Sequence, residues 1–342
     1  MMSPSTERFL VTGALGFIGA WTVRALVQEG IPVSTFDLGG NDRRLGQIMT
    51  PDELAQVNFE SGDVTDLDAL ESALERNGIS SVIHLAALQV PFCRADPPLG
   101  ARVNVLGTVN VFEAVKRRAR SGRMAPVVYT SSIAMFEPND VDQSTGRLGS
   151  DAAAHPTNHY GVYKLANEGN ARVYWLDDGV SSVALRPLTV YGVGRDQGMT
   201  SGPTKAIIAA ILGRPYVVPF QGPTLYQYAE DVARTLIAAS RSTLEGAHAF
   251  NLPGQLADGP AFRAAIESAV PGATELISFQ PVDLPFPAEI DHDGIELLGP
   301  LPVTPLAEGV RASAAIYQDL ARAGRLDPVA HGLDPVQVGR PA

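Results

Sequence analysis

The stretch Phe9-Leu10-Val11-Thr12-Gly13-Ala14-Leu15-Gly16-Phe17-Ile18-Gly19 decides the fold of this chain. Its apolar run reads as a strand ending at Thr12, with a helix beginning just after it. Strand, glycine turn and helix form the entry to a nucleotide-binding α/β unit. One glycine permits the tight reversal, a second lets backbone approach a pyrophosphate, and a third lets the helix pack on the strand. The helix N-terminus then offers unpaired N–H groups and the positive end of its dipole to phosphate. Glycine turns also join strands and helices that bind nothing, so the residues that follow decide the reading.

The next apolar run, Ile31-Pro32-Val33-Ser34-Thr35-Phe36, ends in Asp37. A carboxylate at the end of the second strand accepts hydrogen bonds from both hydroxyls of an adenosine ribose and repels a 2′-phosphate, which favours NAD over NADP. Arg43 and Arg44 follow closely and offer a phosphate two cations, so NADP stays open as the lesser alternative. Asp37 before Gly39-Gly40 is also a good turn-capping residue.

The chain has 342 residues, enough for one large α/β domain and a smaller lobe. A formal net charge of −11 and the lack of a basic patch with interleaved aromatics argue against a nucleic-acid partner. Cys93 is the only cysteine, so no intramolecular disulfide or cysteine cluster forms, in keeping with a reducing cytoplasm. The scattered histidines lack paired helical spacing, and no metal is expected. Residues 9–27 are apolar enough to resemble a signal sequence or membrane span. They carry three glycines and Arg24, lack a basic start, and are accounted for by the strand and helix. No membrane association is expected.

Strand-length and helical segments alternate through the first half. Strands are expected at 56–60, 81–87 and 125–130, and helices at 66–76 and 103–118, with a proline-bearing loop holding Pro91, Pro97 and Pro98 between. Such alternation implies a Rossmann-type, doubly wound parallel sheet whose ligands bind beyond the carboxyl ends of the strands. The Gly13, Asp37, Asp63, Ala86 and Ser132 regions all fall at those ends. Helices are expected within 202–213, 231–240 and 306–323, separated by an irregular, proline-rich stretch at 281–305. The division is therefore an NAD-binding domain at 1–190, a mainly substrate-binding C-terminal lobe at 191–325, and a flexible tail at 326–342. Segments near 225–250 are expected to return to the first domain.

Tyr160-Gly161-Val162-Tyr163-Lys164 places a phenol and an ammonium one helical turn apart on a shared face. A phenol titrating near about 10 is a poor acid–base catalyst at neutral pH, and a neighbouring cation favours its ionised form. Ser132, at the end of the preceding strand, can bond the same substrate oxygen. Together these groups can move a proton while hydride passes to a nicotinamide. Tyr163 competes for the role, but Asn167 four residues on brings no charge.

These features resemble the extended short-chain dehydrogenase/reductase family, in its NAD-dependent epimerase/dehydratase branch. The likeness runs through Thr12–Gly19, Asp63-Val64, His84-Leu85-Ala86-Ala87, Asn104-Val105-Leu106-Gly107-Thr108, Thr130-Ser131-Ser132 and Tyr160 with Lys164. It continues in Leu185-Arg186-Pro187-Leu188-Thr189-Val190-Tyr191-Gly192, Tyr228-Ala229-Glu230-Asp231-Val232 and Thr304-Pro305-Leu306-Ala307-Glu308-Gly309. The resemblance implies that Gly13, Gly16, Phe17, Ile18 and Gly19 line the pyrophosphate turn and that Asp37 holds the adenosine ribose. It implies contacts of Asp63 and Val64 with adenine, and of Ala86 and Ala87 with the diphosphate and ribose. Tyr160 would be the general acid/base, with Lys164 holding the nicotinamide ribose and tuning Tyr160. Ser132 would orient the reacting oxygen, Asn104 would position the site, and Pro187 and Val190 would bracket the nicotinamide. His84 is read as a strand residue near the cofactor. The resemblance also implies a homodimer through a four-helix bundle built from helices near 103–118 and 160–175.

Departures from the family pattern narrow the chemistry. Ile133-Ala134 stands where sugar-nucleotide dehydratases carry an Asp-Glu pair, so elimination of water is not expected. Thr224-Leu225-Tyr226 stands where nucleotide-sugar members often carry an arginine that grips a diphosphate. Arg195, in Gly194-Arg195-Asp196-Gln197-Gly198, can replace that arginine or grip a carboxylate. Gln89, Phe92 and Arg94 are expected to face the substrate, and Cys93 to serve packing. The leading reading is an NAD-dependent oxidoreductase acting on a secondary alcohol or carbonyl of a small, sugar-derived substrate. An NAD-dependent sugar or nucleotide-sugar epimerase would use the same residues. A non-catalytic NAD-sensing module is disfavoured by the retained Tyr160 and Lys164.

Overall fold

The computed structural model describes residues 7–333. Six strands of the first half, β1 (Phe9–Thr12), β2 (Val33–Asp37), β3 (Asn58–Ser61), β4 (Ser81–His84), β5 (Val127–Thr130) and β6 (Ser182–Arg186), pair in parallel. Three short strands follow, β7 (Thr189–Tyr191), β8 (Tyr216–Val218) and β9 (Thr224–Tyr228). Then β10 (Ala247–Asn251) returns to complete a seven-stranded sheet of order β10-β6-β5-β4-β1-β2-β3. β1 therefore lies between β2 and β4, with Thr12 opposite Phe36 on one side and His84 on the other. Strand order reverses there, which opens a crevice at the carboxyl edge.

Helices α1 (Phe17–Gln28), α2 (Arg43–Ile48), α3 (Pro51–Leu54) and α4 (Leu67–Arg76) connect the first strands. The segment expected as a proline-bearing loop after β4 is instead two short helices, α5 (Val90–Ala95) and α6 (Pro97–Ala101). Its prolines occupy the first turns, where a missing N–H costs no helical bond. The helix expected over 103–118 is also divided. Arg102–Leu106 forms a π-helical turn that runs into α7 (Gly107–Ala119), and α8 (His159–Asp178) follows β5.

The sheet is covered on both faces, and the alternation of β1 records it. Phe9 and Val11 join the core under α1, whereas Leu10 joins Phe36, Leu70, Phe112 and Ala171 on the face of α4, α7 and α8. The second half adds α9 (Gly202–Ile211), α10 (Ala229–Arg241), α11 (Gly259–Ala269) and α12 (Leu306–Arg322), with strands β11 (Gln255–Ala257) and β12 (Ile277–Phe279). β11, β9 and β7 form one small sheet, and β12 pairs with β8. The lobe shares the α1-side core through an aromatic chain: Trp21 meets Tyr228, Tyr228 meets Tyr191, and Tyr226 lies 4.7 Å from Phe262.

Residues 326–333, expected as the start of a flexible tail, are docked. His331 and Leu333 are buried, and the His331 Nε2 atom lies 2.9 Å from Gln47 Nε2 on α2. The remainder of that expected tail, 334–342, lies outside the described residues.

The glycine turn has a geometric cause at each position. Gly13 has φ +65°, and a Cβ there would stand 2.6 Å from the Ala86 backbone nitrogen. A Cβ on Gly19 would stand 2.3 Å from the Gly13 carbonyl oxygen, so the third glycine brings α1 against the turn. Gly13→Ala combines left-handed strain with a clash against immobile backbone. It is expected to destabilise the protein by more than about 3 kcal/mol or to prevent folding, read from chemical denaturation of the purified protein. Native-like stability in that variant would contradict the stated contact.

Candidate active site

The carboxyl edge of the sheet gathers the expected nucleotide-side residues. Gly16 is the N-cap of α1 in extended conformation, without a side-chain cap, and its own N–H donates to Gly13 O. The first turn of α1 thus keeps free donors, as a phosphate cradle requires. The Asp37 carboxylate closes the turn from the next strand, accepting from Leu15 N at 3.1 Å and from Leu38 N at 2.9 Å. Asp63 is exposed and caps Thr65 N, whereas Val64 is buried against Gly107 and accepts from Asn110 Nδ2 through its carbonyl. Gly16, Phe17, Ala87 and Gln89 line a cavity of about 260 Å3. Beside it, Ile18, Pro187 and Val190 line a second cavity of about 140 Å3 together with Ser132 and Tyr160.

Ser132 leaves β5 and caps the following 3-10 turn, accepting from Ala134 N at 3.1 Å. Tyr160 sits in the first turn of α8, whose N-cap Asn158 accepts from Gly161 N. Lys164, one turn later, is buried. Its Nζ donates to the Thr130 carbonyl at 2.6 Å and stands 5.5 Å from the centroid of the Tyr160 ring. Burial pulls the Lys164 ammonium down to about 8. Burial also holds the Tyr160 phenol above its ordinary value, opposed by the Ser132 hydrogen bond and the Arg195 charge. The charge that opposes burial at Tyr160 is Arg195, while the Lys164 ammonium is bonded to the Thr130 carbonyl. Tyr163 plays no part in the cavity: its hydroxyl donates to Pro97 O at 2.9 Å.

Asn104 does not reach the two hydroxyls. It lies in the π-helical turn, fully buried, and clasps Leu88: its Oδ1 accepts from Leu88 N at 2.7 Å and its Nδ2 donates to Leu88 O at 2.9 Å. A π-turn re-aims a side chain relative to the following helix, and here it fixes the chain beyond β4. A buried polar chain supports it. The Thr108 hydroxyl donates to Asn104 O and so accepts from His84 Nε2–H, while His84 Nδ1 accepts from Thr12 Oγ1 at 2.6 Å. Thr12 Oγ1 in turn accepts from Leu85 N and Ala86 N. Burial pushes His84 down to about 3, so it stays neutral and structural, as a strand residue beside the site.

Gln89 and Arg195 line both cavities, whereas Phe92 lines only the larger one. Arg94 is exposed and lines neither. Cys93 is buried behind the site, its Sγ directed to Leu88 O. Thr200, Met199 and Phe286 complete the smaller cavity and had no local signal of their own; only the glycines flanking Arg195 hinted at a shaped loop there. Arg43 and Arg44 are both bound to the buried carboxylate of Asp196, Arg44 Nη2 lying 2.8 Å from Oδ1 and Arg43 Nη2 bonding Oδ2. Burial opposes this charge, and the two arginines hold Asp196 below the usual carboxylate range. Both cations are thus engaged by Asp196, and Arg44 also lines the larger cavity.

A parallel sheet with a glycine turn, an acidic second-strand end and a Ser-Tyr-Lys cluster defines a nicotinamide-dependent enzyme of the extended short-chain dehydrogenase type. The chain belongs to the NAD dependent epimerase/dehydratase family, whose model matches residues 9–252, and its cofactor is NAD. It is 29% identical to a UDP-glucose 4-epimerase of Mycolicibacterium smegmatis over 91% of this chain and 99% of that one. It is 31% identical to a D-erythronate dehydrogenase of Cupriavidus necator, over 46% of this chain and 48% of the relative. A consensus L-threonine 3-dehydrogenase superposes with a TM-score of 0.79 at 24% identity, covering 91% and 99% of the two chains, which confirms the fold.

NAD+ is expected to bind at least about 100-fold more tightly than NADP+, since a 2′-phosphate meets the Asp37 carboxylate while Arg43 and Arg44 are paired with Asp196. Asp37→Asn keeps an acceptor for Leu15 N, removes the charge and should narrow the ratio to within about tenfold. Equilibrium titration of both cofactors checks this; equal affinities in the unmodified protein would refute it.

Proposed function

We propose that this protein oxidises a secondary alcohol of a small, sugar-derived substrate with NAD, through Tyr160 as general acid/base. The observation that carries the reading is the meeting of Ser132 and Tyr160 in one small cavity with Ile18, Pro187 and Val190, and Lys164 buried one turn behind. Bound NAD supplies a hydride acceptor at its nicotinamide. In this reading Gly13, Gly16, Phe17, Ile18 and Gly19 cradle the pyrophosphate, Asp37 holds the adenosine ribose, Asp63 and Val64 meet the adenine, and Ala86 and Ala87 flank the diphosphate. Pro187 and Val190 bracket the nicotinamide. Ser132 orients the substrate hydroxyl, Tyr160 in its phenolate form accepts that proton and becomes the neutral phenol, and Lys164, bonded to Thr130, holds the nicotinamide ribose and favours the phenolate. Asn104 acts at one remove, by fixing Leu88.

The same proton path serves a sugar epimerase, and the M. smegmatis relative named a UDP-glucose 4-epimerase keeps that second reading in play. The two differ in net cofactor turnover. Oxidation yields stoichiometric NADH, whereas epimerisation yields an isomer with none. Against a panel of neutral sugars, aldonates, uronates and nucleotide sugars, NADH accumulation is the expected result, and isomer without NADH would decide for the epimerase. Tyr160→Phe should lower kcat/KM by about 1000-fold while NAD+ affinity stays within about threefold. Turnover at the unmodified rate would remove Tyr160 from the mechanism.

We also infer a homodimer in a reducing, cytoplasmic setting. Val162, Leu165, Val173 and Leu176 are 45%, 38%, 53% and 67% exposed, and their spacing gathers them in one stripe along α8. Leu106, leading into α7, adds to the apolar surface. A four-helix bundle made from α7 and α8 of two copies would cover the stripe, and the single buried thiol suits a reducing compartment. Val173→Asp, exposed in one copy, should leave the monomer's stability within about 0.5 kcal/mol and abolish dimerisation. Sedimentation or light scattering reads the outcome; a Val173→Asp protein that stays dimeric, or an unmodified protein that is monomeric, would exclude this interface.

A further inference from the structure

We propose that Arg195, with Gln89 and Thr200, forms a carboxylate-binding subsite, so that the substrate is a short hydroxy acid whose carbinol lies at Ser132 and Tyr160. This rests on the oxidoreductase reading and names the substrate class that the same cavity takes. Arg195 lies in both cavities, between the turn that bears Gly16 and the hydroxyls of Ser132 and Tyr160. Its guanidinium stands 5.7 Å from the centroid of the Phe17 ring, which supports it from one side.

Arg195 has the bonding pattern of a cation with unused donors. Its Nη2 donates to Thr200 Oγ1 at 3.0 Å, the only side-chain hydrogen bond it makes among the described residues. Its Nε is buried without a partner, and no carboxylate of the described chain lies within salt-bridge distance. The adjacent Asp196 is the natural candidate to neutralise it, yet that carboxylate is turned to Arg43 and Arg44. A guanidinium with donors left over, in a cavity that also holds the acid/base phenol, is fitted to take an anionic part of the ligand.

The loop brings a second polar tip to the same place. Gly198 has φ +93°, and a Cβ there would stand 2.4 Å from Gln89 Oε1 and 3.2 Å from Arg195 Nη2. The carboxamide of Gln89 and the guanidinium of Arg195 therefore converge over a backbone that must carry no side chain. The subsite presents one full positive charge and two neutral polar groups. That balances a single carboxylate and leaves a phosphate dianion or a diphosphate under-compensated. The size agrees. The cavity of about 140 Å3 lies below the usual range of about 300–1,000 Å3 for ligand pockets, and a nicotinamide bracketed by Pro187 and Val190 would take part of it. Met199, Pro91 and Phe286 add to its apolar lining beside Ile18, Leu188 and Val190, which fits a short carbon chain better than a nucleoside.

The test uses the full chain saturated with NADH and measures binding by calorimetry. Probes are four-carbon aldonates and hexuronates, each beside its primary amide, with a four-carbon sugar phosphate and UDP-glucose for comparison. At least one acid should bind about 100-fold more tightly than its amide, and Arg195→Met should erase that difference while NADH affinity stays within threefold. Arg195→Lys should restore part of the discrimination, since it keeps the charge and loses the fork. Equal binding of acid and amide, discrimination that survives Arg195→Met, or tighter binding of the phosphate or UDP-glucose than of every acid would overturn the proposal. Acids that bind through Arg195 without forming NADH from NAD+ would sink the oxidoreductase reading and leave the subsite standing. NADH formed from neutral sugars equally well by the unmodified and Arg195→Met proteins would do the reverse.

Discussion

The close approach of Gly13 to the backbone of Ala86 is the constraint on which the rest of this structure depends. β1 and β4 are sequence-distant neighbours in the sheet, and the chain just beyond them comes this close because Gly13 carries no side chain and takes a left-handed turn. That contact sets where α1 begins and where the chain leaves β4. The cofactor side and the substrate side of the crevice are consequently parts of one junction. Thr12, His84, Thr108 and Asn104 extend the junction as a run of buried hydrogen bonds, each group using the donor or acceptor that its neighbour leaves open. A buried polar chain of this kind is favourable only when complete. It therefore ties the register of β1 and β4 to the π-turn that holds Leu88.

The acid/base cluster depends on the same junction at one remove. Lys164 is buried yet directed to the Thr130 carbonyl, so its ammonium is satisfied without a carboxylate. Tyr160 is likewise shielded, and its phenol stays protonated at neutral pH in this environment, opposed by Ser132 and Arg195. As the neutral phenol it can donate a proton in the reductive direction, and it must first ionise before it can accept one from a carbinol. The position of Arg195 thus bears on catalysis as well as on recognition. An anion bound to it would reduce the positive field on Tyr160 as the carbinol takes its place.

Much of this was legible in the chain because the signals are local. The glycine turn, the acidic end of β2, the serine after β5 and the Tyr160–Lys164 pair each lie within one strand end or one helical turn, where spacing fixes geometry. Three features were not legible, for physical reasons. The prolines at Pro91, Pro97 and Pro98 signal a break, but a proline in a first helical turn starts a helix, and sequence alone does not separate the two. The segment at 326–333 has the composition of a loose end, and only the burial of His331 and Leu333 against the body of the protein overrides it. Most of all, Arg43 and Arg44 lie about 150 residues from Asp196 in the chain. Nothing nearby in the chain says that the two arginines would meet that carboxylate instead of a cofactor phosphate.

That long-range meeting explains how the lobe and the nucleotide side are held in one arrangement. Asp196 draws Arg43 and Arg44 from the segment after β2 to the loop after β7. Arg44 also donates to the carbonyls of Leu15 and Gly194, one on each side of the crevice. Trp21 reinforces the seam by donating from its indole to Val193 O at 2.9 Å. His331 closes it from the end of the described chain, neutral at ordinary pH because burial and the Arg43 charge push it down to about 4. A loop pinned this way on both flanks loses little freedom when a ligand binds, so the cost of ordering its arginine is met during folding. In Gly194-Arg195-Asp196-Gln197-Gly198 the two charges are divided by direction. Asp196 points inward and fastens the loop to the nucleotide side, while Arg195 is left facing the cavity. Exchanging their orientations would neutralise the cavity and release the seam together, so the architecture of the crevice and its charge are set by one choice of side-chain direction.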